Sequence, residues 1–247
     1  MSAVTQQTHS ADHDQLSGLV IAIDGPSGSG KSSVSKAVAS RLGIGYLDTG
    51  AMYRALTWWC LDQGLDLSDQ DAVANASLTL PLTMGTDPAA PSVLVGGVAV
   101  DAAIRETRIS ESVSAVATNL AVRPVMRDLQ RALMASIAAE TGGVVAEGRD
   151  ITTVVAPDAT VRALVTASEE ARLARRSKEL HGDADANSVE RTREQIVARD
   201  ARDSTVSQFS VASDGVVTVD TSDLDFEQSV AAVLQVIEHA QSAAGES

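Results

Sequence analysis

Eight residues near the N-terminus constrain the fold more than any other feature of the chain: Gly25-Pro26-Ser27-Gly28-Ser29-Gly30-Lys31-Ser32. They satisfy the pattern Gly-x-x-x-x-Gly-Lys-Ser/Thr. The run before them, Leu19-Val20-Ile21-Ala22-Ile23, is apolar throughout, as a strand buried on both faces must be. After them, Ser32 to Leu42 sets Val34, Ala37, Val38 and Leu42 on one face at helical spacing, and Gly43 ends the helix. Strand, glycine loop and helix together form a phosphate cradle. Backbone N–H groups turn inward where no side chain blocks them, and the positive end of the helix dipole faces the same anion. Lys31 is placed to reach the β- and γ-phosphates of a nucleoside triphosphate, and the Ser32 hydroxyl to join the shell of a Mg²⁺ ion. Gly25, Pro26, Ser27, Gly28, Ser29, Gly30, Lys31, Ser32 and Ser33 are therefore expected to bind ATP with Mg²⁺.

The remaining chain alternates short apolar runs with helical patterns. Helices are expected over Ala51–Leu61, Ser68–Ala76, Ile104–Ala117, Val125–Ala139, Val189–Arg202 and Phe226–His239, and one starting at Ser168. Further strands are expected at Val144–Ala146, Val161–Val165 and Val216–Val219, and a short one before Asp48. Strands without polar alternation, each followed by a helix, imply an α/β fold with a parallel sheet covered on both faces. The region from about Leu65 to Val100 breaks the alternation. There Val93-Leu94-Val95 and Val98-Ala99-Val100 flank Gly96-Gly97, the signature of a tight hairpin. This reads as an insertion on the core, with Trp58 and Trp59 packing beneath it. Met1 to Ser17 reads as a polar tail without the basic start and apolar stretch of a signal peptide, which favours the cytoplasm. His181 to Ser188 reads as a polar excursion flanked by Arg175, Arg176 and Lys178.

Composition narrows the function. The chain has 247 residues, 33 acidic against 19 basic, and a net charge of −14. Such a balance argues against a bulk electrostatic binder of nucleic acid and against a polybasic membrane anchor. No apolar run is long enough to span a bilayer, and the single Cys60 excludes an internal disulfide framework. The P-loop alone leaves GTPases, motors and kinases open. No Asn-Lys-x-Asp guanine-reading motif is present. The only late acidic strand end is Asp220, which reads as structural. A compact kinase of a small acceptor remains.

Two further strings fall where ligands of such sheets bind, at the strands' carboxyl ends. Leu47-Asp48-Thr49-Gly50-Ala51-Met52-Tyr53-Arg54 follows the first helix, and Glu147-Gly148-Arg149-Asp150 follows the second buried strand. Each brings a guanidinium fork to the neighbourhood of the phosphate loop, which favours anion binding.

Together with Val145–Ile151 and Arg199-Asp200-x-x-Asp203-Ser204, these strings make the chain resemble bacterial cytidylate kinases, in order and from about Leu19 to Ile237. The resemblance implies phosphoryl transfer from ATP to CMP or dCMP. It implies a single kinase domain over 18–240, with core segments 18–50, 118–168 and 200–240. A nucleotide-monophosphate-binding insertion would cover about 51–117, a short lid about 169–199, and tails 1–17 and 241–247. Thr49, Arg54 and Arg149 would sit at the CMP phosphate with Tyr53 beside it, and Gly148 would belong to the substrate site. Ser114, Arg123 and Asp150 would read cytosine, and Arg199 and Asp203 would meet the ribose. Lys31, Arg149 and Arg199 would carry the catalytic charge, in an enzyme that works as a monomer. One position departs from the family pattern: an Arg commonly follows Asp203-Ser204-Thr205, and here Val206 stands instead. Arg202 is the expected substitute, with Arg175 and Arg176 as alternatives. Other small acceptors (UMP, AMP, shikimate), a regulatory module without turnover, and a nucleic-acid-dependent ATPase stay open at this point.

Overall fold

The structure, a computed structural model, describes residues 18–181, 193 and 200–245. The tail 1–17, most of the polar excursion after His181, Arg199 and most of the helix expected over 189–202 lie outside the described residues.

The N-terminal apolar run forms β1 (Leu19–Asp24) and leads through the glycine loop into α1 (Lys31–Leu42). Next come β2 (Gly45–Asp48) and α2 (Thr49–Asp62). The helix starts two residues before its expected start because Asp48 caps it, its carboxylate accepting from Ala51 N at 2.8 Å. Then follow α3 (Gln70–Leu78), β3 (Leu82–Met84), β4 (Val93–Val95) and β5 (Val98–Ala99). A 3₁₀ turn (Ala103–Arg105), α4 (Thr107–Ala117) and α5 (Val122–Thr141) lead to β6 (Gly143–Gly148). A π-helical turn (Ile151–Val155), β7 (Val161–Thr166), α6 (Glu169–His181), β8 (Val217–Asp220) and a C-terminal helix (Phe226–Gly245) complete the described elements.

The main sheet has the order β2-β6-β1-β7-β8, and every pairing is parallel. Alternate residues of each strand point to opposite faces, and both faces are covered. Val20, Ala22, Val144 and Ala146 pack with Met52, Leu56, Met126 and Met134 from α2 and α5. Ile21, Ile23, Val145 and Val165 pack with Val34 and Val38 of α1 and Val230 and Val233 of the C-terminal helix. Two-sided burial is why these strands read as unbroken apolar runs.

The expected hairpin is β4–β5, with Leu94 opposite Ala99 and Val95 opposite Val98. Gly96 and Gly97 have φ of 59° and 81°, the two positive values that a tight hairpin turn of this hand requires. The strand β3 joins its other edge and makes a separate three-stranded antiparallel sheet. Beneath it Ala51, Ala55, Val93, Val95, Val100 and Ile104 form a small core, and half-buried Trp58 and Trp59 pack against that core. The expected reading of the tryptophans as packing residues therefore holds.

The topology fixes where a ligand can sit. From β1 the chain crosses toward β2, and from β6 it crosses over β1 toward β7, so connections leave these two neighbouring strands in opposite directions. This is the switch point of an open parallel sheet, which leaves a crevice at the strand ends. Asp24 pairs with Gly148 in the register, so the glycine loop and Gly148-Arg149-Asp150 emerge side by side.

Candidate active site

A cleft of about 520 Å³ opens at that switch point, a size suited to small-molecule ligands. Among its lining residues stand seven basic side chains, Lys31, Lys36, Arg54, Arg105, Arg123, Arg149 and Arg176, against four acidic ones, Asp48, Glu147, Asp150 and Asp203. The chain is strongly acidic, yet its cleft is basic, so the positive field is concentrated at one place. The crowding is visible on Arg54. Burial, offset in part by Asp48, brings its pKa down to about 10, and Arg176, Arg105 and Arg149 push in the same direction as burial.

Of the expected site residues, Pro26 to Ser33, Thr49, Tyr53, Arg54, Arg123, Gly148, Arg149, Asp150 and Asp203 all line the cleft. Gly25 lies just behind it; a Cβ there would meet the Val165 carbonyl oxygen at 2.1 Å. Gly148 has a similar constraint, since a Cβ would fall 2.5 Å from Thr49 Oγ1 and 2.7 Å from an Ile151 side-chain carbon. Ser114 is not on the wall. It is buried behind it, and its hydroxyl donates to Asp203 Oδ1 at 2.9 Å. Arg199 lies outside the described residues.

The phosphate end of the cleft is built on the glycine loop. Lys31 Nζ lies 3.6 Å from Glu147 Oε2. Glu147 is fully buried at the end of β6 and also accepts from Tyr46 OH at 2.6 Å and from Ser32. Burial raises its pKa, and Lys31 opposes that rise. The Ser29 hydroxyl is buried in the loop with no protein hydrogen bond, so it has an unsatisfied donor for a phosphate oxygen. Two arginines of α6 brace the loop from outside. Arg172 Nη1 donates to Ser27 O at 3.0 Å and to Asp200, and Arg175 donates to Thr221 O at 2.6 Å and to Ser29 O.

The other end of the cleft is a polar plane. Arg123 Nη2 donates to Asp150 Oδ2 at 2.6 Å, with both side chains largely buried. Burial raises the pKa of Asp150, and Arg123 counteracts it. Tyr53 lies alongside, its acidity suppressed first by burial and then by the Asp150 charge. Arg54 Nη1 donates to Ile104 O at 3.1 Å and to Ser110 Oγ at 2.8 Å, which fixes it against the 3₁₀ turn and α4. Between the two ends stands Arg149, within ion-pair distance of Asp200 (3.1 Å) and Asp203 (2.5 Å).

Sequence reasoning missed three groups here. Glu147 carries no local signal, because its partners Lys31, Ser32 and Tyr46 are remote in sequence. Arg105 lines the cleft from the 3₁₀ turn. Asp24, the last residue of β1, is buried and accepts from Ile151 N (2.9 Å), Thr152 N (2.8 Å) and Thr152 Oγ1 (2.6 Å). That carboxylate ties the start of the phosphate loop to the turn after Asp150. As for the cation to replace Val206, which lines the cleft, Arg202 is exposed and absent from the lining, whereas Arg176 is present in it.

A pH prediction follows from Asp24. Burial raises its pKa from 3.8 to about 6, and the three hydrogen bonds offset only part of that. The folded protein thus holds this proton more tightly than the unfolded chain does. The Asp24 contribution to stability is present at low pH and is lost as pH rises through roughly 4 to 6. The slope is at most about 1.4 kcal/mol per pH unit. Urea denaturation from pH 4 to 7 is expected to show the stability difference between wild type and Asp24→Asn changing across that window and flat above it. A difference independent of pH would place the charge elsewhere.

A family model described as cytidylate kinase matches residues 21–239. Relatives bearing that name include one from Streptomyces avermitilis, 49% identical over 226 residues, which span 91% of this chain and 95% of the relative. Another, from Rhodococcus opacus, is 45% identical over 90% of this chain and 95% of its own length. A third, from Cutibacterium acnes, is 45% identical over 89% of this chain and 96% of its own length.

Proposed function

The chain belongs to the cytidylate kinase family and transfers a phosphoryl group from ATP to CMP or dCMP, and on that premise we propose how its cleft performs the reaction. One observation carries the reading: the phosphate loop and the Arg123–Asp150 plane face one cleft, with Arg149 between them. ATP phosphates lie on Gly25 to Ser33, and CMP lies with its phosphate toward Thr49, Arg54, Arg149 and Arg105. Cytosine offers an amino donor beside ring acceptors. Asp150 accepts from the former and Arg123 donates to the latter, already held edge to edge by their own ion pair. Asp203, oriented by Ser114, meets the ribose together with Arg199.

The attacking group is a phosphate oxygen, charged and nucleophilic at neutral pH, so no strong general base is needed. Catalysis consists of positioning and charge neutralisation. Lys31 leaves Glu147 for the β- and γ-phosphates. The cations that crowd the cleft share the charge of the two phosphate groups as they meet. Asp24 keeps the Asp150 side of the site in register with the phosphate loop.

The cleft suits Mg²⁺ bound through the nucleotide. Ser32 offers a hydroxyl, with the Glu147 carboxylate beside it, and no cluster of three or more metal-ligating side chains exists among the described residues. Mg²⁺ usually binds in this manner, through phosphates, water and one or two protein oxygens. When bound, it supplies charge neutralisation to the transferring phosphoryl group.

We assign residues 51–117 to the acceptor-binding part and 169–199 to the lid; within these, Tyr53, Arg54 and Arg105 of the former and Arg176 of the latter line the cleft, and residues 182–192 and 194–199 lie outside the described residues. Water exclusion by such a lid protects the phosphoryl group from hydrolysis. We further propose a monomer working in the cytoplasm, where the reaction has its ATP and CMP; no helix among the described residues is long and apolar enough to cross a membrane.

The test is a panel of acceptors in a coupled ADP-release assay. CMP and dCMP are expected to exceed UMP, AMP and shikimate by at least about tenfold in kcat/KM, the discrimination that one mismatched buried polar pair brings. Equal use of AMP would refute the base-reading role of Arg123 and Asp150. ATP binding without acceptor-stimulated ADP release would refute the enzyme itself.

A further inference from the structure

Phe209 is one of only six aromatic residues in the chain, and it lies in an irregular stretch between the helical residues 200–203 and β8. It is nevertheless 1% exposed. None of the three apolar clusters that form the core includes it. Its defining neighbour is a cation: the Arg149 guanidinium carbon lies over the ring, 4.6 Å from its centre. The other partners of Arg149 hold it by charge more than by direction. Asp203 Oδ2 is 2.5 Å from Nη1 and Asp200 Oδ1 is 3.1 Å from Nη2, yet Nη1 and Asp200 Oδ1 make no aligned hydrogen bond. Two carboxylates at short range hold the guanidinium by its charged edge, and the ring lies against its face.

We propose that Phe209 is a positioning residue for phosphoryl transfer, whose ring keeps the Arg149 guanidinium plane aimed along the cleft when Asp200 and Asp203 give it up to phosphate. The inference rests on the reading that Arg149 binds phosphate. A guanidinium that exchanges carboxylates for phosphates loses the contacts that located it, at the moment when its alignment matters most. A quadrupole behind the plane makes no demand on the edge donors, so it survives the exchange. Val206, which lines the same wall, has no polar side-chain donor to share that work.

Two replacements separate the ring's electrostatics from its bulk. Phe209→Leu removes the π face. Incorporation of 3,4,5-trifluorophenylalanine at position 209 keeps the shape and drains the quadrupole. With saturating ATP and CMP at a temperature well below the melting transition, kcat is expected to fall roughly tenfold for Phe209→Leu and about threefold or more for the fluorinated ring. KM for CMP stays within about threefold, since Arg54 and Thr49 still hold the acceptor. In an Arg149→Lys background neither change lowers kcat further, because the planar partner is gone. A fluorinated enzyme with unchanged kcat, or one whose loss persists undiminished in the Arg149→Lys background, overturns the proposal while leaving the role of Arg149 intact. An Arg149→Lys enzyme with normal turnover also overturns the proposal, because the guanidinium plane is then dispensable; normal turnover of Arg149→Met instead overturns the phosphate-binding reading of Arg149.

Discussion

Lys31→Met is expected to abolish CMP-dependent ADP release while the protein stays folded. The loss in kcat should be on the order of 10²- to 10³-fold or more, the range seen when one preorganised donor to developing charge is removed. Folding survives for a reason specific to this site. In the free protein Lys31 offsets the charge of Glu147, a carboxylate with almost no solvent exposure. Burial already favours its neutral form, and loss of Lys31 shifts it further the same way. Tyr46 remains as a hydrogen-bond partner. The paired variant Lys31→Met/Glu147→Gln removes the buried carboxylate along with its cation, and should match wild type more closely in thermal stability while staying inactive. Activity is read by coupled ADP release, and fold by far-ultraviolet circular dichroism. Near-normal turnover in a folded Lys31→Met protein contradicts the donor-phosphate role of the loop.

Arg123→Ala has two effects that a third variant separates. The Arg123–Asp150 pair is mostly buried, with side chains 16% and 11% exposed. Removal of one member leaves the other charge without compensation, at a cost of up to about 3–5 kcal/mol. It also removes a charged donor from the base-reading plane, which should raise KM for CMP by about tenfold to a hundredfold. The double variant Arg123→Met/Asp150→Leu replaces the pair by apolar groups of similar size. Such replacements commonly restore stability, but they cannot restore recognition. The expected pattern is therefore a destabilised, weakly binding Arg123→Ala and a stable, weakly binding double variant. A double variant that binds CMP normally shows that cytosine is read elsewhere.

What the sequence disclosed and what it withheld divide along contact distance. The strand, glycine loop and first helix were readable because eight consecutive residues carry the whole argument. The β4–β5 hairpin was readable from Gly96-Gly97. By contrast β3 has three residues between Pro81 and Gly85, too few for a period to show. The π-helical turn after Asp150 depends on Asp24, 127 residues earlier in the chain. Glu147 is an ordinary strand-end carboxylate until folding brings Lys31 to it. Ser114 was expected at the base; its position behind Asp203 depends on a contact across 89 residues that no local pattern encodes. Asp220 was read as structural, and it is exposed and engaged with Ser222 in a local turn. Local chemistry was visible in the sequence, and partners brought from afar were not.

The central place of β1 has a consequence for how the protein is made. The strand leaves the ribosome among the first residues of the domain, but its neighbours β6 and β7 are encoded far downstream, with Leu19 beside Gly143 and Ile21 beside Val161. Until those segments have been synthesised, β1 is an apolar strand with two unsatisfied edges, and the glycine loop has no strand end to rest on. Pairings between distant segments are slow to form and leave nascent chains open to misassociation. The chain thus writes its phosphate cradle first and completes it late, and a ribosome stalled before β7 carries a product that already contains the ATP-binding motif yet has nowhere to build the site.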